Sequence, residues 1–111
     1  MKKLHVVFKT HLDLGFTDLV EKVMDTYLYD FIPRAIEIGE DLPDKFTWTT
    51  QVPWLIAHYL NHPDVFEEAK ERLRSAIKAG TIKWHGLPVT FHTELMDREL
   101  FECSLSISIL F

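Results

Sequence analysis

The sequence predicts an α/β fold in which parallel strands alternate with crossover helices. Three short segments rich in β-branched and aromatic residues are separated by two longer segments with the apolar periodicity of helices. Connections of that length suit parallel pairing rather than hairpins. The first predicted strand stops at His11 and Asp13, and chemistry in α/β proteins gathers where strands end at their carboxyl side. We therefore expect the candidate site at that edge of the sheet.

The composition excludes several classes of protein. The chain has 111 residues, of which 47% are hydrophobic and 13% aromatic, so it can bury a core and is not expected to be disordered. This length allows one small domain or part of a larger one. The formal net charge is −5, and no Lys or Arg cluster follows one face, so a nucleic acid is not an expected partner.

A single cysteine, Cys103, excludes an internal disulfide and favours the reducing cytoplasm. Lys2 and Lys3 look like the charged start of an export signal, but the apolar run after them lies between His5 and Lys9 and is too short. No stretch approaches the length of a membrane span. We expect a cytoplasmic protein with no membrane partner.

The first strand is predicted from Leu4 to Thr10. Its apolar run Val6-Val7-Phe8 is typical of a parallel strand that is covered on both faces. A helix is expected from Thr17, which can act as the N-cap residue. Its apolar stripe consists of Leu19, Val20, Val23, Met24, Tyr27 and Phe31. Pro33 is expected to kink or restart this helix, because it lacks an amide hydrogen.

The second strand, Phe46 to Thr50, is rich in aromatic and β-branched residues and leads into a helix. Pro53 suits the first turn of that helix, and Pro63 repeats the pattern before the next one. The later helix has one apolar face, which consists of Val65, Phe66, Ala69, Leu73, Ala76 and Ile77. On its polar face, Glu68 and Arg72 are spaced for a charge pair.

The third strand, Thr81 to His85, follows a helix stop at Gly80. The last segment starts as a helix with Asp97 as its cap, and its apolar ending from Cys103 to Phe111 predicts a truncated chain. A sheet of three parallel strands has two unpaired edges and a thin core, which predicts self-association through the edges. Residues 1–111 are therefore interpreted as the partial N-terminal segment of a larger barrel or sheet.

His11 and Asp13 offer an imidazole and a carboxylate that can ligate a divalent metal such as zinc. A catalytic zinc normally has three protein ligands and an open position, so further ligands must come from elsewhere. The alternative is that Asp13 caps a turn and His11 is hydrogen-bonded within the loop. His58 and His62 have the spacing of a metal pair on a helix, but no glutamate accompanies them in a recognised pattern.

The stretch from Lys9 to Thr17, which reads KTHLDLGFT, resembles the opening motif of the glycoside hydrolase family 38 α-mannosidases. In that family a strand ends in His-x-Asp-x-Gly-aromatic, and the histidine and aspartate bind the catalytic zinc. Residues 46–50 and 77–84 are also similar to the family's second strand and to the lead into its third. The resemblance implies that the chain is the first part of a seven-stranded β/α barrel-like domain, with zinc bound by His11 and Asp13.

The chain departs from the family pattern at several positions. Leu14 stands where the family usually has proline, Phe16 where it has tryptophan, and Thr50 near a usual glutamate. The family aspartate that serves as nucleophile and zinc ligand falls at or near Thr93, beside Glu94. The resemblance therefore implies a divergent branch of the family.

Glu94 is the candidate catalytic carboxylate, because it follows the third strand at the same edge as the predicted metal pair. Its alternative role is a carboxylate at a helix start. His92, in the same loop, is a candidate for binding substrate, or otherwise a polar loop residue. Phe16 and Trp54 are candidates to contact the apolar face of a sugar ring, although aromatic residues of this kind more often belong to a core.

The resulting prediction is the N-terminal fragment of a zinc-dependent glycosidase that acts on carbohydrate with retention of configuration. The family's general acid and last zinc-binding histidine would lie beyond Phe111, so a longer parent is expected to be active and the 111-residue chain inactive. Two alternatives stay open. One is a metal-dependent hydrolase resembling polysaccharide deacetylases on a related barrel. The other is a non-catalytic α/β module in which His11 and Asp13 are structural.

Overall fold

Strands and helices alternate along the chain, and the computed structural model describes residues 2–107. The strands are β1 (Phe8–Lys9), β2 (Trp48–Thr50) and β3 (Ile82–Trp84). The α-helices are α1 (Val20–Thr26), α2 (Ile32–Asp41), α3 (Pro53–Asn61), α4 (Glu67–Lys78) and α5 (Arg98–Ile107). A π-helical turn, Tyr27–Phe31, joins α1 to α2, and a 3-10 turn, Thr93–Leu95, precedes α5. The predicted order of elements is therefore confirmed within the described residues.

The strands form an open parallel sheet in the order β1-β2-β3. Phe8 is aligned with Trp48, and Trp48 with Ile82. Each crossover joins neighbouring strands in the same direction along the sheet, and crossovers of this kind are right-handed in nearly all proteins. Both helical connections consequently lie on the same face. The predicted α/β class with parallel strands is confirmed.

The two faces of this sheet have different environments. On the covered face, Trp48, Thr50 and Ile82 are buried beneath the helices. The opposite side chains in the aligned row, Lys9, Thr49 and Lys83, form the open face, where both lysines are exposed. Successive side chains of a strand point to opposite faces of the sheet. One residue therefore faces the core and the next faces solvent.

The core lies between the covered face and helices α2, α3 and α4. Its most deeply buried side chains are Ile32, Leu55, Ile56, Leu73 and Ile82. Helix α2 approaches the start of β3 so closely that a Cβ built on Gly39 would lie 2.1 Å from Cγ2 of Thr81. Glycine is therefore required at this position by packing.

The helical run from residue 20 to residue 41 departs from the expected one at its start. Helix α1 begins at Val20, and the carboxylate of Asp18 accepts the Leu19 N–H at 2.8 Å. The prediction of Thr17 as N-cap is wrong, because the helix begins later and its N-cap position is Leu19, with no side-chain hydrogen bond capping the first turn. Before Pro33, the Ile32 N–H donates to the Tyr27 C=O five residues back, which widens the turn. The predicted restart at Pro33 is thus confirmed as a π-helical turn followed by α2.

Helices α3 and α4 agree with the sequence in part. Pro53 lies in the first turn of α3 as predicted, whereas α4 begins at Glu67, after a turn that contains Pro63. Arg72 does not pair with Glu68 of its own helix but donates to both carboxylate oxygens of Glu40 on α2, at 3.0 and 2.6 Å. Packing of α4 against α2 brings this carboxylate within reach.

Strand β1 is shorter and more exposed than the sequence predicts. Its ladder includes Phe8 and Lys9 only, and Val6, Val7 and Phe8 are 64%, 71% and 54% exposed. The expectation of a strand covered on both faces is wrong for the described residues. The physical reason is that the helices that bury Trp48, Thr50 and Ile82 on the other two strands leave the start of β1 largely uncovered.

Two helix ends agree with the predicted signals. Gly80 follows α4 with φ +77°, a conformation that glycine adopts readily. Asp97 caps α5, since its carboxylate accepts the Leu100 N–H at 2.7 Å.

None of the helices within residues 2–107 is long and apolar enough to cross a membrane. Residues 108–111, part of the ending that led to the expectation of a truncated chain, lie outside the described residues.

Candidate functional site

An open cleft of about 360 Å³ lies beside the carboxyl end of β1. His11 and Asp13, from the loop that follows the strand, line it on one side. Side chains from α1 and the π-helical turn, including Lys22 and Tyr27, line the other. The structure therefore brings the two predicted metal ligands to the same cavity. Neither is deeply buried: His11 is exposed and Asp13 half-buried.

The backbone between these two residues is held from both sides. The Tyr27 hydroxyl donates to the C=O of His11 at 3.2 Å. The side-chain oxygen of Gln51, directly after β2, accepts the N–H of Leu12 at 2.8 Å. These two backbone atoms belong to one peptide group, so side chains from two different elements hold the same peptide plane.

Gln51 also reaches the loop that follows β3. Its side-chain NH₂ donates to the Thr90 hydroxyl at 2.7 Å. Gln51 and Thr90 line a second cleft of about 330 Å³, together with Lys9, His85 and Phe91. The loops after all the described strands thus meet at Gln51, as expected for the carboxyl edge of a parallel sheet.

The donor atoms in the first cleft fit part of a metal shell. His11 contributes an imidazole and Asp13 a carboxylate, which are ordinary zinc ligands. Asp18 also lines this cleft, but its carboxylate accepts the Leu19 N–H and lies 3.4 Å from the ammonium group of Lys22. Within residues 2–107, no group of three or more His, Cys, Asp or Glu side chains is arranged to hold a metal. The described residues therefore supply two candidate ligands.

Glu94 and His92 lie apart from this pair. Glu94 is in the 3-10 turn, and His92 directly precedes it. Their side chains are 72% and 83% exposed, and Nδ1 of His92 is 3.8 Å from Oε1 of Glu94. Neither residue is among those that line the cleft of His11 and Asp13. The predicted catalytic carboxylate and the predicted metal pair are not assembled into one cavity, and the roles of His92 and Glu94 stay predictions.

The two aromatic candidates are also outside the first cleft. Phe16 is 88% exposed in the loop before α1. Trp54 is 41% exposed and stacks on His58 of its own helix, with ring centroids 5.6 Å apart. His58 in turn contacts His62 edge to face at 5.2 Å. Sugar binding by Phe16 and Trp54 stays a prediction.

Two side chains away from the cleft have pKa values that differ from the ordinary ones. Hydrogen bonding to Arg72 lowers the pKa of Glu40, and burial raises the pKa of the Tyr59 hydroxyl. Both groups belong to the helical layer that covers the sheet. They bear on the stability of that layer rather than on the chemistry at His11 and Asp13.

Sequence reasoning missed the residues that hold the loop after β1. Gln51 has no metal-binding or acid–base chemistry that would mark it in a sequence, and Tyr27 acts here only through a hydrogen bond from its hydroxyl to the backbone. The available signal for Gln51 was its position directly after a predicted strand, which places it at the carboxyl edge of the sheet. For Tyr27 no such signal exists, because its place in the apolar stripe predicts a core residue.

Comparisons of the chain with protein-family models, with curated proteins and with solved structures found no match.

Proposed function

We propose that this chain carries part of the active site of a zinc-dependent glycoside hydrolase resembling family 38. The observation that carries the proposal is that His11 and Asp13 follow β1 directly and line one open cleft at the carboxyl edge of a parallel sheet. This edge is where α/β enzymes assemble their catalytic groups. An imidazole and a carboxylate facing one cavity are suited to bind a divalent cation.

The proposal includes a β/α barrel to which β1, β2 and β3 contribute the first strands. The sequential strand order with both connections on one face supports this arrangement, because a doubly wound sheet requires a reversal of strand order. The open face supports it as well. Parallel sheets are rarely left uncovered, and in a barrel the face opposite the helices is enclosed by the other strands.

In the proposed reaction His11 and Asp13 hold the metal at the mouth of the barrel. When bound, zinc supplies Lewis-acid stabilisation to oxygen atoms of the sugar. Glycosidases that retain configuration need two carboxylic groups, one as nucleophile and one as acid. Glu94 is the candidate for one of them, and His92 beside it is suited to hydrogen-bond a sugar hydroxyl.

Zinc binding by the protein translated from the complete reading frame tests the metal part of the proposal, because the described residues supply only two of the ligands that a zinc site needs. The wild-type protein, after dialysis against ZnCl₂ and then against buffer, is expected to retain one zinc ion per chain by elemental analysis. His11→Ala and Asp13→Asn are expected to lose it. His5→Ala removes an exposed histidine that does not line the cleft and is the matched control. Unchanged zinc content in His11→Ala would refute the proposed metal site.

Hydrolysis assays on the protein translated from the complete reading frame test the reaction. Release of nitrophenol from 4-nitrophenyl α-D-mannoside, lost in His11→Ala, is the expected result. Release of acetate from an N-acetylated chito-oligosaccharide instead would replace the glycosidase with a deacetylase. A zinc-loaded protein with neither activity would contradict the proposed hydrolase.

A further inference from the structure

We infer that Gln51 is a positioning residue that orients the His11–Asp13 loop for metal binding. This inference rests on the proposed function, because only that function requires the loop to bind a metal. The hydrogen bonds of Gln51 that support it are present without a metal. Gln51 accepts the Leu12 N–H at 2.8 Å and donates to the Thr90 hydroxyl at 2.7 Å. Leu12 lies between the two candidate ligands in the chain.

The peptide group between His11 and Leu12 is restrained at both of its polar ends. Its oxygen accepts the Tyr27 hydroxyl, and its N–H donates to Gln51. A peptide group is planar, so bonds at both of its polar ends restrict the movement of the whole plane. The plane adjoins ψ of His11 and φ of Leu12, so the two bonds limit the direction of the His11 side chain and the path of the backbone toward Asp13.

A glutamine is well suited to this position. Its amide accepts a hydrogen bond through one atom and donates through the other. The bond to Thr90 aims the NH₂ group at the loop after β3, which leaves the oxygen facing Leu12. Glutamate could not donate to Thr90, and alanine would make neither bond. Gln51 is partly buried, so water competes less for its bond to Leu12 than it would at an exposed site.

The same side chain connects two parts of the proposed site. On one side it holds the loop with His11 and Asp13, and on the other the loop that leads from Thr90 to Glu94. Groups around a metal ligand that fix its orientation typically change metal affinity by about 10–100-fold when they are removed. Gln51 is expected to act in this way through the backbone, without touching the metal.

The test combines zinc titration of the protein translated from the complete reading frame with hydrogen exchange on the 111-residue chain. Gln51→Ala is expected to raise the zinc dissociation constant, measured by calorimetry with ZnCl₂, by about 10-fold or more. It is also expected to speed exchange of the Leu12 amide hydrogen, measured by NMR without metal. Thr90→Val, which keeps the size of the side chain but removes the hydroxyl, is expected to shift both quantities in the same direction by less.

Asn61→Ala is the matched control, because it removes an amide whose NH₂ donates to the Ala57 C=O on α3, outside the cleft. It is expected to change neither quantity. Equal zinc affinity in Gln51→Ala and wild type would overturn the positioning role, as would unchanged Leu12 exchange. If the wild-type protein translated from the complete reading frame binds no zinc, the proposed function fails, and so does the metal-binding role of Gln51. Faster Leu12 exchange in Gln51→Ala would then still support its hold on the loop.

Discussion

The covered and open faces of the sheet are built from alternate residues of the same strands, yet their environments are opposite. On β3, Ile82 is 1% exposed beneath the helices, while the next residue, Lys83, is exposed on the open face. On β2, Thr50 is fully buried and Thr49 only half-buried. The fold of the described residues therefore depends on one layer of helices, which buries one face of the sheet and leaves the other open to solvent.

The largest expected effect comes from neighbouring substitutions on β3. Ile82→Ala is expected to lower the free energy of unfolding by about 2–5 kcal/mol, because it leaves a cavity in the core. Lys83→Ala should change it by less than about 0.5 kcal/mol, as is usual for exposed positions. Urea denaturation followed by circular dichroism measures both. Similar losses at the two positions would mean that the open face is covered in solution.

The next effect concerns the close contact of α2 with the start of β3. Gly39→Ala is expected to cost about 1–3 kcal/mol, because the new methyl group would overlap Cγ2 of Thr81. Adding Thr81→Ser, which removes that methyl, should recover most of the loss in a thermal melt. Gly86→Ala is the control: its Cβ would lie 3.7 Å from Leu105 Cδ2, an ordinary contact. If Gly39→Ala leaves the stability unchanged, α2 packs less closely against Thr81 than the structure indicates.

A gain in stability is expected from Thr50→Val. The hydroxyl of Thr50 is buried on the covered face and has no hydrogen-bond partner among residues 2–107. Removing an unsatisfied buried hydroxyl while keeping the shape of the side chain should stabilise the chain by about 1 kcal/mol in urea denaturation. Thr49→Val, on the open face of the same strand, should have a smaller effect. Destabilisation by Thr50→Val would indicate that the hydroxyl has a partner in solution.

The smallest effect is expected in the ion pair between α2 and α4. Glu40 and Arg72 are about half exposed, so Glu40→Gln should cost under about 1 kcal/mol. Arg72 lowers the pKa of Glu40 below its ordinary value of 4.5. The stabilisation is therefore fully present above pH 4.5 and is lost as the pH falls through the lower folded-state pKa. Thermal melts of the wild type and Glu40→Gln should differ at pH 7 and converge in acid, whereas a constant difference would contradict the assignment.

The order and type of most elements could be predicted from local residue patterns. Pro53 in the first turn of α3, Gly80 after α4 and Asp97 as the cap of α5 act through their own backbone or nearest neighbours. Such signals are local, so they can be recognised without knowing the rest of the fold. The same holds for the position of His11 and Asp13 after β1, since a strand end is visible in the order of residues.

Local patterns did not predict which faces are covered or which distant side chains meet. Arg72 pairs with Glu40 on another helix instead of with Glu68 on its own, and Gln51 reaches Leu12 and Thr90, each 39 residues away. The predicted pair of His92 and Glu94 lies outside the cleft of the metal candidates. The physical reason is that contacts between residues distant in the chain depend on how whole elements pack, and local periodicity carries no information about that packing.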